Sequence, residues 1–260
     1  MQSHQVLRLL QFCYVCFMLS LLKKEINTFL GSLIGYVVIV VFLAFMGLFM
    51  WVFPGESNVL DSGYSNIDGL FSITPYLYLF LIPAITMRSF AEEKRNGTIE
   101  LLLTSPITEL QMIVAKYLAG VVLVIYSLIP TIVYYIIVYN LGNPIGNIDS
   151  GGIWGSYIGL LLLGASFVAI GMFTSAITDN QVVSFVIAVL LCYVCFIGFD
   201  TIAQIQSLKK LDFLFLNISI NTHYVSLSRG VVDTRDLIFF LGLITIFILS
   251  TKAVIESRKW

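Results

Sequence analysis

The 260 residues are 58% hydrophobic and 11% charged, with a net charge of −1 and a mean hydropathy of +0.95. Soluble domains lie nearer about 45–50% apolar and about 25% charged, so the composition excludes a soluble globular protein and implies an integral membrane protein. Basic runs never exceed two residues, which leaves no footprint for nucleic-acid binding.

Six stretches are long and apolar enough to cross a bilayer: Leu33–Phe53, Leu70–Met87, Ile113–Tyr139, Ile153–Ser175, Val182–Phe199 and Leu237–Ala253. Their apolar runs are continuous, whereas a membrane β-barrel needs short alternating segments, so the expected class is an all-α polytopic membrane protein in a single domain over residues 1–260. Lys and Arg sort the loops. Arg8, Lys23 and Lys24 precede the first span; Arg88, Lys94, Arg95 and Lys116 flank the second-to-third connection; Lys252, Arg258 and Lys259 close the chain. Pro54–Gly69 and Leu141–Gly152 contain no basic residue. Both termini and the Arg88–Gln111 loop are therefore expected on the cytoplasmic side. Thr201–Asp236 falls outside in this scheme yet carries Lys209, Lys210, Arg229 and Arg235; long loops follow the rule less strictly.

Residues 1–20 form an N-terminal extension that reads two ways. Val6–Leu22 is apolar but interrupted by Arg8 and Gln11, which suits an interfacial helix; alternatively Met18 is the true start. Leu22–Gly31 predicts a short in-plane helix, with Lys23, Lys24 and Glu25 at the headgroups and Ile26, Phe29 and Leu30 in the acyl boundary. Gly31 and Gly35 have the spacing of a helix-packing pair, although glycine is common in spans generally. Pro75, Pro83 and Pro130 each remove a backbone donor, so kinks are expected in the second and third spans.

The Arg88–Gln111 loop holds seven charges: Arg88, Glu92, Glu93, Lys94, Arg95, Glu100 and Glu109. Helix is expected through Arg95, ended by Asn96-Gly97, with Gly97 suited to a left-handed turn. Thr98 is placed to cap a second short helix, Glu100 lies in its first turn, and Ile99, Leu101, Leu102 and Leu103 make it apolar before Pro106 stops it. Thr108 and Gln111 have capping-box spacing for the third span. The loop reads as a docking surface, with a solvated hairpin as the plain alternative. Lys116 is expected to reach out to the headgroups.

In the fourth span Ala165 and Ala169 form a second small-residue packing pair. Asp179 or Asn180 is expected to cap the fifth span, Asp200 to end it, and Asp233 or Thr234 to cap the sixth. Phe213–Ile220 is apolar enough to lie on the outer leaflet. Asn217-Ile218-Ser219 matches a glycosylation sequon by chance, and the closing ESRKW reads as an interfacial anchor.

Phosphate-loop chemistry is absent: no Gly-Lys pair exists, so the chain has no usual loop for ATP. His4 and His223 lie outside the spans, which removes paired intramembrane haem ligands. No span carries an ionisable residue near its middle, against the relay expected of an ion-coupled carrier. Cys13/Cys16 and Cys192/Cys195 have C-x-x-C spacing, but in apolar helices cysteine reads as a small apolar residue rather than a zinc or redox site.

FAEEKRNGTIELLLTSPITELQMIVAKYLAG (Phe90–Gly120) resembles the signature of ABC-2-type permeases, the six-span subunits of ATP-binding-cassette transporters. Leu21–Val38 is similar to that family's entry to the first span, Ile170–Val186 to its fourth-to-fifth turn, and Thr222–Phe240 to its segment before the last span. Within the family the chain looks most like the gliding-motility-associated GldF-type permease of bacteroidetes, with NosY-type copper-enzyme-maturation permeases as near relatives. The resemblance implies six transmembrane helices, with a cytoplasmic coupling helix between spans 2 and 3 formed by Glu92, Glu93, Lys94, Arg95, Gly97, Thr98, Glu100, Leu101, Leu102, Ser105 and Pro106. It also implies a separate ATP-binding subunit that carries ATP and Mg, a second permease copy or paralogue, a lipid bilayer, and a bacterial inner-membrane location. No cofactor is expected on this chain and no catalytic residue. The competing readings are a stand-alone channel or secondary carrier, and an intramembrane enzyme or scaffold using Ser156, Ser166 or Asp200.

Overall fold

The computed structural model describes residues 18–100, 108–203 and 212–257. Every regular element among them is helical. Among the described residues five helices are long and apolar enough to cross a membrane, and a sixth crossing exists if a bent pair near the start of them counts as one. That pair is α1 (Met18–Leu30) and α2 (Leu33–Trp51), bent by 64°. Ser32 makes the bend: its hydroxyl donates to Phe29 O (2.8 Å) and accepts from Gly35 N (3.2 Å), which caps α2.

α3 (Asp68–Thr86) stays continuous through Pro75 and Pro83; the break comes afterwards, before α4 (Ala91–Arg95). The third crossing is α5 (Glu109–Leu128), a 3₁₀ turn at Ile129–Thr131 around Pro130, and α6 (Ile132–Leu141). Pro130 therefore tightens the helix locally, as a missing N–H donor requires. Thr108 and Gln111 form both bonds of the capping box, at 3.1 and 3.3 Å. α7 (Ser150–Ile177) follows, then α8 (Gln181–Tyr193), a π turn at Val194–Gly198, and α9 (Phe199–Ala203). Asn180, not Asp179, caps α8 by accepting from Val182 N at 2.9 Å. Asp200 does not end this crossing. The helix runs past it, and its carboxylate accepts from Asn221 (2.6 Å) and Thr222 (3.2 Å).

α10 (Asp212–Ile218) keeps Phe213, Leu216 and Ile218 exposed, as a leaflet-facing segment would. α11 (Ile220–Ser228) turns back into the bundle instead: Ile220, Tyr224 and Leu227 are buried, and Tyr224 donates to Phe71 O at 2.7 Å. α12 (Thr234–Glu256) closes the chain, capped by Asp233 through Arg235 N at 3.1 Å.

α7 is the central element, packed on α3, α5, α8, α11 and α12. Its most apolar stretch is 78% buried, against 22% for the α8–α9 crossing and for α12. In lipid, helices gain little from hydrophobic burial against one another, so close packing has to hold the bundle. Small residues on α7 allow it. A Cβ on Gly159 would stand 2.7 Å from Leu227 Cβ, and one on Gly171 would stand 2.9 Å from Thr86 Cβ. Around them Phe71, Tyr78, Phe167 and Phe196 fill the core, with Phe71–Tyr157 and Phe167–Phe196 edge to face.

Candidate functional site

The seven-charge loop begins where α3 stops. Phe90 has its ring wholly buried, and it ends a four-residue interruption of the helix, residues 87–90, after which α4 continues the same span. The interruption exposes backbone N–H groups that helix no longer satisfies. Ser175, at the last turn of α7, supplies what is missing: its hydroxyl oxygen accepts from Phe90 N (3.0 Å) and Ala91 N (3.1 Å) and donates to Met87 O (3.1 Å). Lys94 then reaches back over the same end of α7. Its ammonium donates to Ala176 O and lies 3.7 Å from Asp179, with the side chain only 2% exposed. A cation at a helix C-terminus also meets the negative end of the helix dipole.

Lys116 completes the root of this corner. It was expected to reach the headgroups; instead its side chain is buried, because acceptors inside the protein use all three of its N–H donors. Its ammonium donates to Glu93 Oε1 (2.7 Å), Ser89 O (2.8 Å) and Glu25 Oε1 (3.0 Å), and stands 5.2 Å from the Phe90 ring centre. One cation thus ties α1, the α3–α4 corner and α5. A buried ammonium is costly unless paired and hydrogen-bonded, and here it is both.

The residues singled out in the loop divide into a root and a tip. Glu93 and Lys94 point inward, and Glu92 is half-buried on the wall of a cavity of about 280 Å³. Arg95, Gly97, Thr98 and Glu100 are exposed. Gly97 takes the left-handed conformation (φ +69°) that ends α4, and the Thr98 hydroxyl donates back to Glu93 O at 3.3 Å. Helix resumes at Ile99. Leu101, Leu102, Ser105 and Pro106 lie outside the described residues, as do Cys13 and Cys16. Gly31 and Gly35 sit at the α1–α2 bend, where a Cβ on Gly35 would crowd the Phe29 ring at 3.0 Å. Ala165 and Ala169 are buried on α7 beside Ile244 of α12, with Tyr117 and Val121 of α5 against them. Cys192 and Cys195 are free thiols in the α8–α9 crossing.

Sequence reasoning did not find Glu25, Lys116 and Ser175 as partners of α4. Nothing local marks a serine at the end of a small-residue helix. Lys116 did carry a signal, since it stands well past the capping box that starts its helix, too deep for an ordinary terminal lysine.

Residues 53–216, more than half of the chain, match a protein-family model described as ABC-2 family transporter protein. That stretch contains the α3–α4 corner, Lys116 and Ser175, and leaves out Glu25. Comparison with curated proteins gives no match.

Proposed function

The chain belongs to the ABC-2 family of transporter proteins, and we propose that its α3–α4 corner is where it receives the stroke of a separate ATPase. Family membership makes it the membrane component, a permease subunit of an ABC transporter, and implies an ABC ATP-binding partner and a lipid surround. The finer reading is an exporter-type complex of the gliding-motility kind. In this reading the chain crosses a bacterial inner membrane six times with both termini and α4 on the cytoplasmic side, a second permease copy or paralogue completes the pathway, and ATP and Mg are held by the partner. Support for the gliding branch is the resemblance of Phe90–Gly120 and Thr222–Phe240.

The observation that carries the coupling role is the division of the loop into exposed tip and bonded root. Arg95, Thr98 and Glu100 are free to meet a partner, while Ser175, Lys94 and Lys116 fasten the corner to α7, α5 and α1. A load placed on the tip is therefore shared by several crossings, as a rigid-body transition requires. ATP drives such a transition only if the ATPase contacts the two permease states unequally. Glu92, Glu93, Lys94, Arg95, Gly97, Thr98, Glu100, Leu101, Leu102, Ser105 and Pro106 make up the coupling segment.

Affinity purification from mild detergent tests this, comparing wild type with Glu100→Arg and with a Leu101→Asp/Leu102→Asp double variant. The expected result is an ATP-hydrolysing subunit that accompanies wild type and is lost from both variants at equal membrane insertion. An ATPase that stays bound to both variants removes the segment from the interface. No ATPase with wild type favours the channel or carrier alternative.

A further inference from the structure

The cavity beside Glu92 has a charged rim and an apolar floor. Lys24 of α1, Arg88 and Glu92 stand on the rim; Leu123, Val168 and Met172 line the floor. Lys116, Glu25 and Glu93 also line this region or lie beside it and pair with one another through Lys116, although Glu93 Oε2 keeps no partner. The three rim charges do not pair: among the described residues none makes an ion pair, although Arg88 and Glu92 are only four residues apart. Arg88 Nε is buried with no acceptor.

Two unpaired cations and one unpaired carboxylate above an apolar floor complement a ligand that carries an anion, a cation and hydrocarbon together. Guanidinium binds phosphate oxygens as a planar fork, and a carboxylate takes a primary ammonium. Amphipathic α1 forms one wall, with Lys23 and Lys24 exposed and Leu21 buried, so the rim lies at the depth where headgroups meet acyl chains. The cavity, of about 280 Å³, has room for a small polar headgroup. We infer that this cavity binds a phospholipid whose headgroup bears both a phosphate and a primary ammonium, with Lys24 and Arg88 on the phosphate and Glu92 on the ammonium. The inference needs the membrane setting but not the ATPase-coupling role.

Native mass spectrometry of the purified protein, with its ATP-binding partner where the two co-purify, tests it. Phosphatidylethanolamine and phosphatidylglycerol of identical acyl chains serve as probes. Wild type is expected to retain one phosphatidylethanolamine in preference to phosphatidylglycerol. Arg88→Gln lowers retention of both about tenfold or more, and Glu92→Gln lowers only phosphatidylethanolamine and abolishes the preference. Thr28→Trp, at an exposed lining position, excludes both lipids without altering any charge. Equal retention of the two lipids by wild type and every variant overturns the assignment. Displacement of the lipid by free phosphoethanolamine at matched concentration also overturns it, in favour of a soluble ligand. Lipid counting does not depend on the ATPase: a Glu92→Gln protein that keeps its lipid preference but loses its partner counts against this site and not against coupling.

Discussion

Lys116 of α5 holds Glu93 of α4 at 2.7 Å, Nζ to Oε1, with the lysine side chain 1% exposed. The same ammonium holds Glu25 of α1 at 3.0 Å. One cation with two carboxylates is an asymmetric cluster. If α4 moves away, Glu25 and Ser89 O still hold two of the ammonium's three donors, so the buried charge keeps a carboxylate partner. If the lysine is lost, two carboxylates face each other with nothing between them.

That asymmetry orders three substitutions. Lys116→Met is expected to destabilise the protein by about 3 kcal/mol, near the lower end for breaking a buried ion pair, because Glu93 and Glu25 keep 14% and 23% exposure. Glu25→Gln is expected to cost only about 1 kcal/mol, since the ammonium keeps its other partners. Glu93→Gln falls between them. Apparent melting temperatures in one detergent check the order, and a Lys116→Met protein that melts with wild type would show that the cluster carries no stability.

Ser175→Ala leaves the buried N–H groups of Phe90 and Ala91 without an acceptor, at about 3 kcal/mol for the pair. The loss is local, because α3 and α7 keep their packing elsewhere. Amide hydrogen exchange is the discriminating readout: residues 90 and 91 should exchange faster while the interior of α7 does not. Uniform acceleration along α7 would mean that the serine supports the whole bundle rather than the corner.

What the sequence made legible was what neighbours along the chain decide. The Thr108–Gln111 box, the left-handed Gly97 and the local disturbance at Pro130 each depend on residues within a turn. Lys116 was misread because its partners lie 23 and 91 residues away, and the apolar pattern of a single span cannot show what stands opposite. Ser175 is the same case, bonded across 84 to 88 residues. α11 was legible and passed over: Ile220, Tyr224 and Leu227 recur at helical spacing, a buried stripe inside a segment too short to span.

Gly159→Ala is expected to destabilise by about 1–2 kcal/mol. The new methyl meets Leu227 Cβ at 2.7 Å, on a packed helix face with no room to yield, and the helix-propensity gain of about 0.5–1 kcal/mol offsets only part of that. Gly242→Ala on α12 is the matched control, because a Cβ there meets nothing within 4 Å. It should leave the melting temperature unchanged or raised. If both variants melt alike, the α7–α11 contact tolerates separation and close packing is not what seats α11.

Asp233 gives the start of α12 an acid-sensitive cap. The N–H of Arg235 donates to its carboxylate and holds its pKa below the usual carboxylate range, helped by the Thr234 hydroxyl at 3.3 Å. A pKa lowered on folding means that the charged cap stabilises the helix end above the unfolded-state value, and that this contribution fades as pH falls through the folded-state value. Asp233→Asn keeps an acceptor in place and loses the charge, so its helix end should be insensitive to acid; Asp233→Ala should fray at every pH. Amide exchange at Arg235 and Asp236 between neutral and strongly acidic pH, corrected for intrinsic rates, reads this directly. Protection that falls equally with acid in wild type and Asp233→Asn would show that the Asp233 carboxylate is not what makes this helix end acid-sensitive.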